Sequence, residues 1–146
     1  MTTAPTAAPV QGTPIRGRIR GRVLLLLCCM YAISYIDRTN ISTALPHITD
    51  EFGLSDTDAG FIVSAFALPY ALLQVFGGTI SERFGPRRAL FVITVVWGVA
   101  TLWTGLSIGF WTLFAARLLL GLSEAAAFPS ATQAMSRWIP LSLIHI

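Results

Sequence analysis

Charge is what this chain has least of. Only 12% of its 146 residues are Asp, Glu, Lys or Arg, about half the share of an ordinary globular domain. Beside a hydrophobic content of 54%, that scarcity excludes a soluble fold. Lysine is missing altogether and all ten basic residues are arginine, a bias that a GC-rich coding sequence explains without reference to function. Cysteine is confined to the neighbours Cys28 and Cys29. Adjacent helical side chains point about 100° apart, which argues against an intramolecular disulfide. Two thiols with no histidine nearby make no metal site, so both are expected as packing residues. The histidines are His47, a polar residue at a membrane edge, and His145, for which no role is assigned. No nucleophile–base pair, metal cluster or phosphate-cradling loop occurs, so the sequence supports no enzyme and calls for no metal or cofactor. The net charge of +3 would suit nucleic acid, but the arginines gather at the ends of apolar runs rather than along a groove-reading element.

Long apolar runs are what the chain does have. Residues 23–36, 59–80, 89–108 and 110–127 are nearly free of charge. A bilayer core about 30 Å thick needs roughly 20 apolar residues per helix. The second and third runs meet this directly. The first reaches it by continuing through Asp37-Arg38 to about Ala44, ending before Pro46, and the fourth by accommodating Arg117 and Glu124 and ending near Met135. Four membrane helices over 23–140 are expected. Ser55 followed by Asp58 fits a capping box at the start of the second, and Pro69 marks a bend inside it. Trp111 and Trp138 are placed as interfacial anchors.

The segment Gly77-Gly78-Thr79-Ile80-Ser81-Glu82-Arg83-Phe84-Gly85-Pro86-Arg87-Arg88 is a charged hinge between two of these runs. Gly85 tolerates the backbone angles of a tight turn, and Pro86 suits the first turn of a new helix. Residues 1–22 read as a disordered basic cytoplasmic tail: a Thr-, Ala- and Pro-rich stretch, then Arg16, Arg18, Arg20 and Arg22. A cleaved signal peptide would also begin with basic residues, but no small-residue cleavage site precedes Asp37-Arg38. Loop arginines then number four, none, three, none and one along the chain. That alternation places both ends in the cytoplasm.

Asp37, Arg38, Arg117 and Glu124 stand where lipid would be. An ionised group at a helix centre costs about 2.5–3.5 kcal/mol, so four facing lipid would cost on the order of 10 kcal/mol. They must face one another, other helices or water. Arg117, Gly121 and Glu124 share one helical face. In the first helix Ser34, Asp37 and Asn40 or Ile41 line one face and Arg38 an adjacent one, so Asp37 and Arg38 are expected to find separate partners. One reading is a structural pair such as Asp37 with Arg117. The other is a water-filled pathway in which carboxylates take up protons and an arginine holds an anion, and intramembrane charge favours it.

The hinge resembles the signature loop between the second and third helices of the major facilitator superfamily, with Glu82 where the family usually has Asp. Tyr35-Ile36-Asp37-Arg38-Thr39-Asn40-Ile41-Ser42 is similar to the first-helix motif of its anion:cation symporter family. Arg117-Leu118-Leu119-Leu120-Gly121-Leu122-Ser123-Glu124-Ala125-Ala126-Ala127-Phe128-Pro129 is similar to the fourth-helix motif, and Ser136-Arg137-Trp138-Ile139-Pro140 to the segment next in order. The resemblance covers about residues 18–140. It implies an all-α membrane protein, the first third of a twelve-helix fold, and proton- or sodium-driven uptake of small organic anions such as sugar acids across a bacterial inner membrane. It gives Asp37 and Glu124 proton-coupling roles, has Arg38 hold a substrate carboxylate and Arg117 pair with an acidic group, and has Tyr70 contact substrate. Asn40 and Gln74 are further polar candidates there. Gly78, Glu82, Arg83, Gly85, Arg87 and Arg88 would form the conformational-gate loop. Substrate competing for an arginine could couple occupancy to protonation, because a carboxylate's affinity for protons depends on burial and on neighbouring charge.

A drug or sugar transporter of the same superfamily is one alternative, and a small four-helix membrane scaffold is another. Residues 141–146 resemble sequencing-adaptor read-through and are expected to be non-native, with the chain an amino-terminal fragment. Its partners would be the bilayer, an organic anion, protons or sodium, and the missing carboxy-terminal helices. Alone it is expected not to transport.

Overall fold

The computed structural model describes residues 14–138, with side chains over 18–136. Four helices make up nearly all of it: α1 (Pro14–Phe52), α2 (Asp56–Phe84), α3 (Pro86–Gly105) and α4 (Phe110–Trp138). Each is long and apolar enough to cross a membrane, and no strand occurs among the described residues. The start of the expected tail (1–13), the ending (139–146) and the side chain of Trp138 lie outside what is described.

α1 overruns its expected limits at both ends. It begins at Pro14, so residues 14–22, expected within a disordered tail, are helical. Proline suits a first helical position, arginine is a good helix former, and long arginine stems let a helix leave a bilayer without breaking. At the other end α1 passes through Pro46 and stops at Phe52 rather than near Ala44. Proline removes one backbone donor, the partner of the Ser42 carbonyl, and a membrane helix tolerates that single loss because the bonds on either side of it persist. In the next turn Thr49 Oγ1 donates to the carbonyls of Pro46 at 2.8 Å and Leu45 at 3.1 Å.

The connections are short. Ser55 Oγ accepts from the Asp58 N–H at 3.2 Å while Asp58 Oδ2 accepts from the Ser55 N–H at 3.0 Å, the reciprocal capping box the sequence predicts. The segment expected as a hinge is two helix ends meeting at one residue. α2 continues to Phe84 and α3 starts at Pro86. Gly85, at φ 80°, makes the reversal in a region that disfavours side chains bearing Cβ. α3 ends at Gly105 instead of Ile108, and residues 106–109 turn the chain into α4. Leu106 N–H closes the α3 end on the Leu102 carbonyl at 3.1 Å, and Thr112 Oγ1 accepts from the Ile108 N–H at 3.2 Å. Trp111 lies exposed beside this turn, as an interfacial anchor requires.

α4 is the centre of the bundle. It packs along both α2 and α3, whereas α1 meets it over a shorter stretch. Leu113, Ala116, Leu120, Ala125, Ala126 and Ala127 of α4 are buried. Two core clusters form, one around Ala89, Ile93, Ala126 and Ala127, the other around Trp97, Ala100 and Leu120; Met30 of α1 packs on both. Small residues allow this, because helices in lipid associate by close backbone approach rather than by hydrophobic transfer. A Cβ on Gly77 would stand 2.7 Å from Ala126 Cα, and one on Gly121 would collide with the Phe66 carbonyl oxygen. Gly121→Leu is therefore expected to force α2 off α4 and lower stability by about 1–3 kcal/mol or more, the range for overpacking. Thermal unfolding in detergent checks this; a wild-type midpoint would contradict it. Cys28 and Cys29, expected as packing residues, are instead free and exposed on α1 among the described residues. Leu25, Leu26, Ile33 and Ile36 are exposed on α1 too.

Candidate functional site

Where α1 crosses α4, Ser34 and Arg38 lie one turn apart and both reach Glu124. The Glu124 side chain is 1% exposed. Its Oε2 accepts from Ser34 Oγ at 2.8 Å and from Arg38 Nη2 at 2.8 Å. Its Oε1 has no hydrogen-bond partner, and neither has Arg38 Nε. The Arg38 side chain keeps 28% of its surface exposed, so the pair is part-buried. Removing Arg38 strands a buried carboxylate, at a cost below or near the range of about 3–5 kcal/mol that holds for a fully buried pair. The pair is thus held firmly while intact and leaves acceptor and donor capacity unused.

Aromatic rings surround the guanidinium. Its carbon stands 4.5 Å from the Tyr70 ring centre, 5.5 Å from Phe66, 5.7 Å from Phe128 and 5.8 Å from Tyr35. Phe66 and Tyr70 stack at 5.6 Å, and Phe128 meets Tyr70 edge-on at 6.2 Å. Rings within about 6 Å attract a cation and shield it from water without taking its hydrogen bonds. Three helices build this cage: α1, α2 and α4.

Asp37 and Arg38 do find separate partners, as their adjacency predicts, but the identity of those partners differs from expectation. Asp37 does not pair with Arg117. It turns toward α3, where Oδ2 accepts from Trp97 Nε1 at 2.7 Å and from Thr101 Oγ1 at 3.3 Å. The cross-helix ion pair among the described residues is Arg38–Glu124 instead. Ser34 also departs from the expected face: it joins Arg38 on Glu124 rather than Asp37 on α3. The rotation of α1 about its axis decides both outcomes, and residue spacing does not reveal that rotation. Arg117 is 5% exposed and its Nε has no partner. It lies within electrostatic reach of both Asp37 and Glu124.

The remaining candidates lie further out. Tyr70 is in the cage; Gln74 is half-buried one turn beyond it on α2, and Asn40 is exposed on α1. Neither Gln74 nor Asn40 takes part in the bonds to Glu124. At the other end of α2, Glu82, Arg83, Arg87 and Arg88 are exposed around the Gly85 turn. Gly78 lies against Pro129 of α4. The buried Ser81 hydroxyl donates to Gln133 Oε1 there, a contact between α2 and α4 that the sequence did not suggest. Trp97, Thr101, Phe66 and Phe128 also escaped notice. An indole inside an apolar run reads as core, although Thr101 one turn from Trp97 was a weak sign of a polar face.

Chemically, the site brings two carboxylates and two guanidiniums together, with Glu124 and Arg117 buried and Asp37 and Arg38 half-buried. Buried Nε atoms on Arg38 and Arg117 and a free Oε1 on Glu124 remain available. Such a set can bind an anion and exchange protons. Among the described residues no group of His, Cys, Asp and Glu could hold a metal ion.

The family model for the Major Facilitator Superfamily matches residues 27–143, and the chain belongs to that superfamily. It is a multi-pass membrane protein of a transporter family, not an enzyme. Its relatives narrow the kinship. It is 44% identical over 127 residues to a protein named as a probable sulfoacetate transporter of Cupriavidus necator, covering 87% of this chain and 30% of that one. It is 37% identical over 124 residues to a D-galactonate transporter of Escherichia coli, covering 85% and 29%. A hexuronate transporter of Bacillus subtilis is 36% identical over 118 residues, covering 81% and 28%. The chain therefore spans less than a third of the length of these relatives.

Proposed function

We propose that this chain is the amino-terminal part of a secondary active transporter that takes up small organic anions with protons. It would lie in a bacterial inner membrane with its amino terminus in the cytoplasm. The observation that carries this reading is the Arg38–Glu124 pair, buried at Glu124, caged by rings and short of partners at Oε1 and Nε. Relatives named for sulfoacetate, D-galactonate and hexuronate support it, since all three are organic anions.

The proposed cycle rests on competition. A substrate carboxylate or sulfonate entering the cage takes Arg38, since guanidinium binds either oxyanion through a fork of donors. Glu124 then loses its cationic partner while remaining buried, which disfavours its charged form. It takes a proton from the water that entered with the substrate. Release on the other side reverses the order: the anion leaves, Arg38 recaptures Glu124, and the proton departs. Asp37 provides a second protonatable group, Arg117 a second cation for the anion, and Tyr70, with Asn40 and Gln74 at the margins, shapes the pocket. The Gly78–Arg88 turn would act as the gate loop against the later helices of the longer protein.

The test uses the full-length protein carrying this chain in proteoliposomes with an imposed pH gradient. Radiolabelled sulfoacetate or D-galactonate is expected to accumulate, and a protonophore is expected to stop it. Uptake that tracks a sodium gradient, or that occurs only with an uncharged sugar, would overturn the proposal. Residues 1–146 alone are expected to carry neither anion.

A further inference from the structure

Asp37 is held in an unusual way for a carboxylate in a membrane helix with an arginine close by. Arg117 on α4 is within electrostatic reach and has a buried Nε without a partner, yet Asp37 bonds to α3. Indole can only donate a hydrogen bond. At 2.7 Å from Trp97 Nε1, Oδ2 is engaged as an acceptor, which favours Oδ1 as the oxygen that takes a proton arriving at Asp37. Trp97 is 5% exposed and packed with Ala100 and Leu120. Its ring is thus fixed by the core while its N–H points at α1.

We infer that Trp97, assisted by Thr101, is a positioning residue that keeps Asp37 turned toward α3. This leaves Arg117 unpaired for an incoming anion and leaves Oδ1 as the oxygen that takes the proton. The inference rests on the transport reading above. The charged groups around Asp37 are Arg38 beside it on α1, and Arg117 and Glu124 on α4; α3 contributes only the neutral donors Trp97 and Thr101. Without those donors, Asp37 would swing onto Arg117. Two functional groups would then neutralise each other, and the exchangeable proton would lose its place.

The experiment compares two assays in the full-length protein, using whichever of the two labelled anions the wild type accumulates. One is accumulation driven by a pH gradient; the other is exchange of labelled for unlabelled anion without a gradient. Trp97→Phe keeps a ring in the core and removes the N–H. Gradient-driven accumulation should fall about tenfold, as expected for losing a hydrogen bond to a charged group. Exchange should need more anion to reach half its maximal rate, because Arg117 is neutralised, and keep that maximal rate. Thr101→Val, nearly isosteric, should give a smaller fall in the same direction. Unchanged accumulation in Trp97→Phe would overturn the inference. So would parallel loss of both activities in Trp97→Phe with both intact in Thr101→Val, the pattern of a ring needed only for packing. Absence of accumulation in the wild type itself would overturn the transport reading, and this inference with it.

Discussion

Arg38→Ala in the full-length protein is expected to abolish uptake of organic anions, with a fall of about 100-fold or more in initial rate. Two losses combine. The anion loses its principal cation, a group at the centre of four aromatic rings. Glu124, bonded at 2.8 Å to Arg38 and buried, loses its ionic partner. Truncating one member of a buried, hydrogen-bonded charge pair typically costs about 2–5 kcal/mol, and about 2.7 kcal/mol is already a hundredfold. Arg38→Lys keeps the charge but not the planar fork, so it should retain only a small part of the activity. Initial rates at matched protein levels, with thermal stability measured alongside, separate lost function from lost fold. Wild-type uptake by Arg38→Ala would remove the anion-binding role.

Glu124→Gln should divide transport in a different way. An amide oxygen still accepts from Ser34 Oγ and Arg38 Nη2, so the α1–α4 crossing keeps its bonds. What disappears is the ability to take up and release a proton. Each coupled proton contributes about 1.4 kcal/mol per pH unit, a tenfold concentration ratio. Under a gradient of one unit, accumulation should fall about tenfold, while exchange of labelled for unlabelled anion persists. A variant that still accumulates its substrate as the wild type does would exclude Glu124 from coupling.

Much of the architecture was legible because membrane helices obey strong rules. Runs of the right length, a capping box at Ser55 and Asp58, and Gly85-Pro86 between two runs marked three helix limits closely. Pro46 misleads, since its missing N–H suggests a stop, whereas the helix runs on past that one lost bond to Phe52. The Thr-, Ala- and Pro-rich stretch and the arginines after it read as a tail because they bury little apolar area. Yet a helix that extends a membrane span needs no apolar face of its own beyond the bilayer. In the site, residue types were readable and partners were not. The face of Arg117, Gly121 and Glu124 follows from helical periodicity, and all three are buried. Which carboxylate meets which cation depends on how α1 is rotated and how deeply it sits, and no local pattern encodes that. Trp97 is the sharpest instance: its apolar ring explains its place in the run, and only the tertiary structure reveals that its N–H holds Asp37.

On the proposed reading, the α2 face carrying Tyr70 and Gln74, beside the Arg38 cage, opens onto an aqueous cleft. Single cysteines at position 74 and at the neighbouring Val75, which is 80% exposed, test it most directly. The background is the full-length protein with Cys28→Ser and Cys29→Ser. Gln74→Cys should react with a charged, membrane-impermeant thiol reagent and be protected by the transported anion, while Val75→Cys should react only with a lipid-soluble maleimide. If position 74 also reacts only with the lipid-soluble reagent, regardless of the anion, the cleft does not exist there and the account fails.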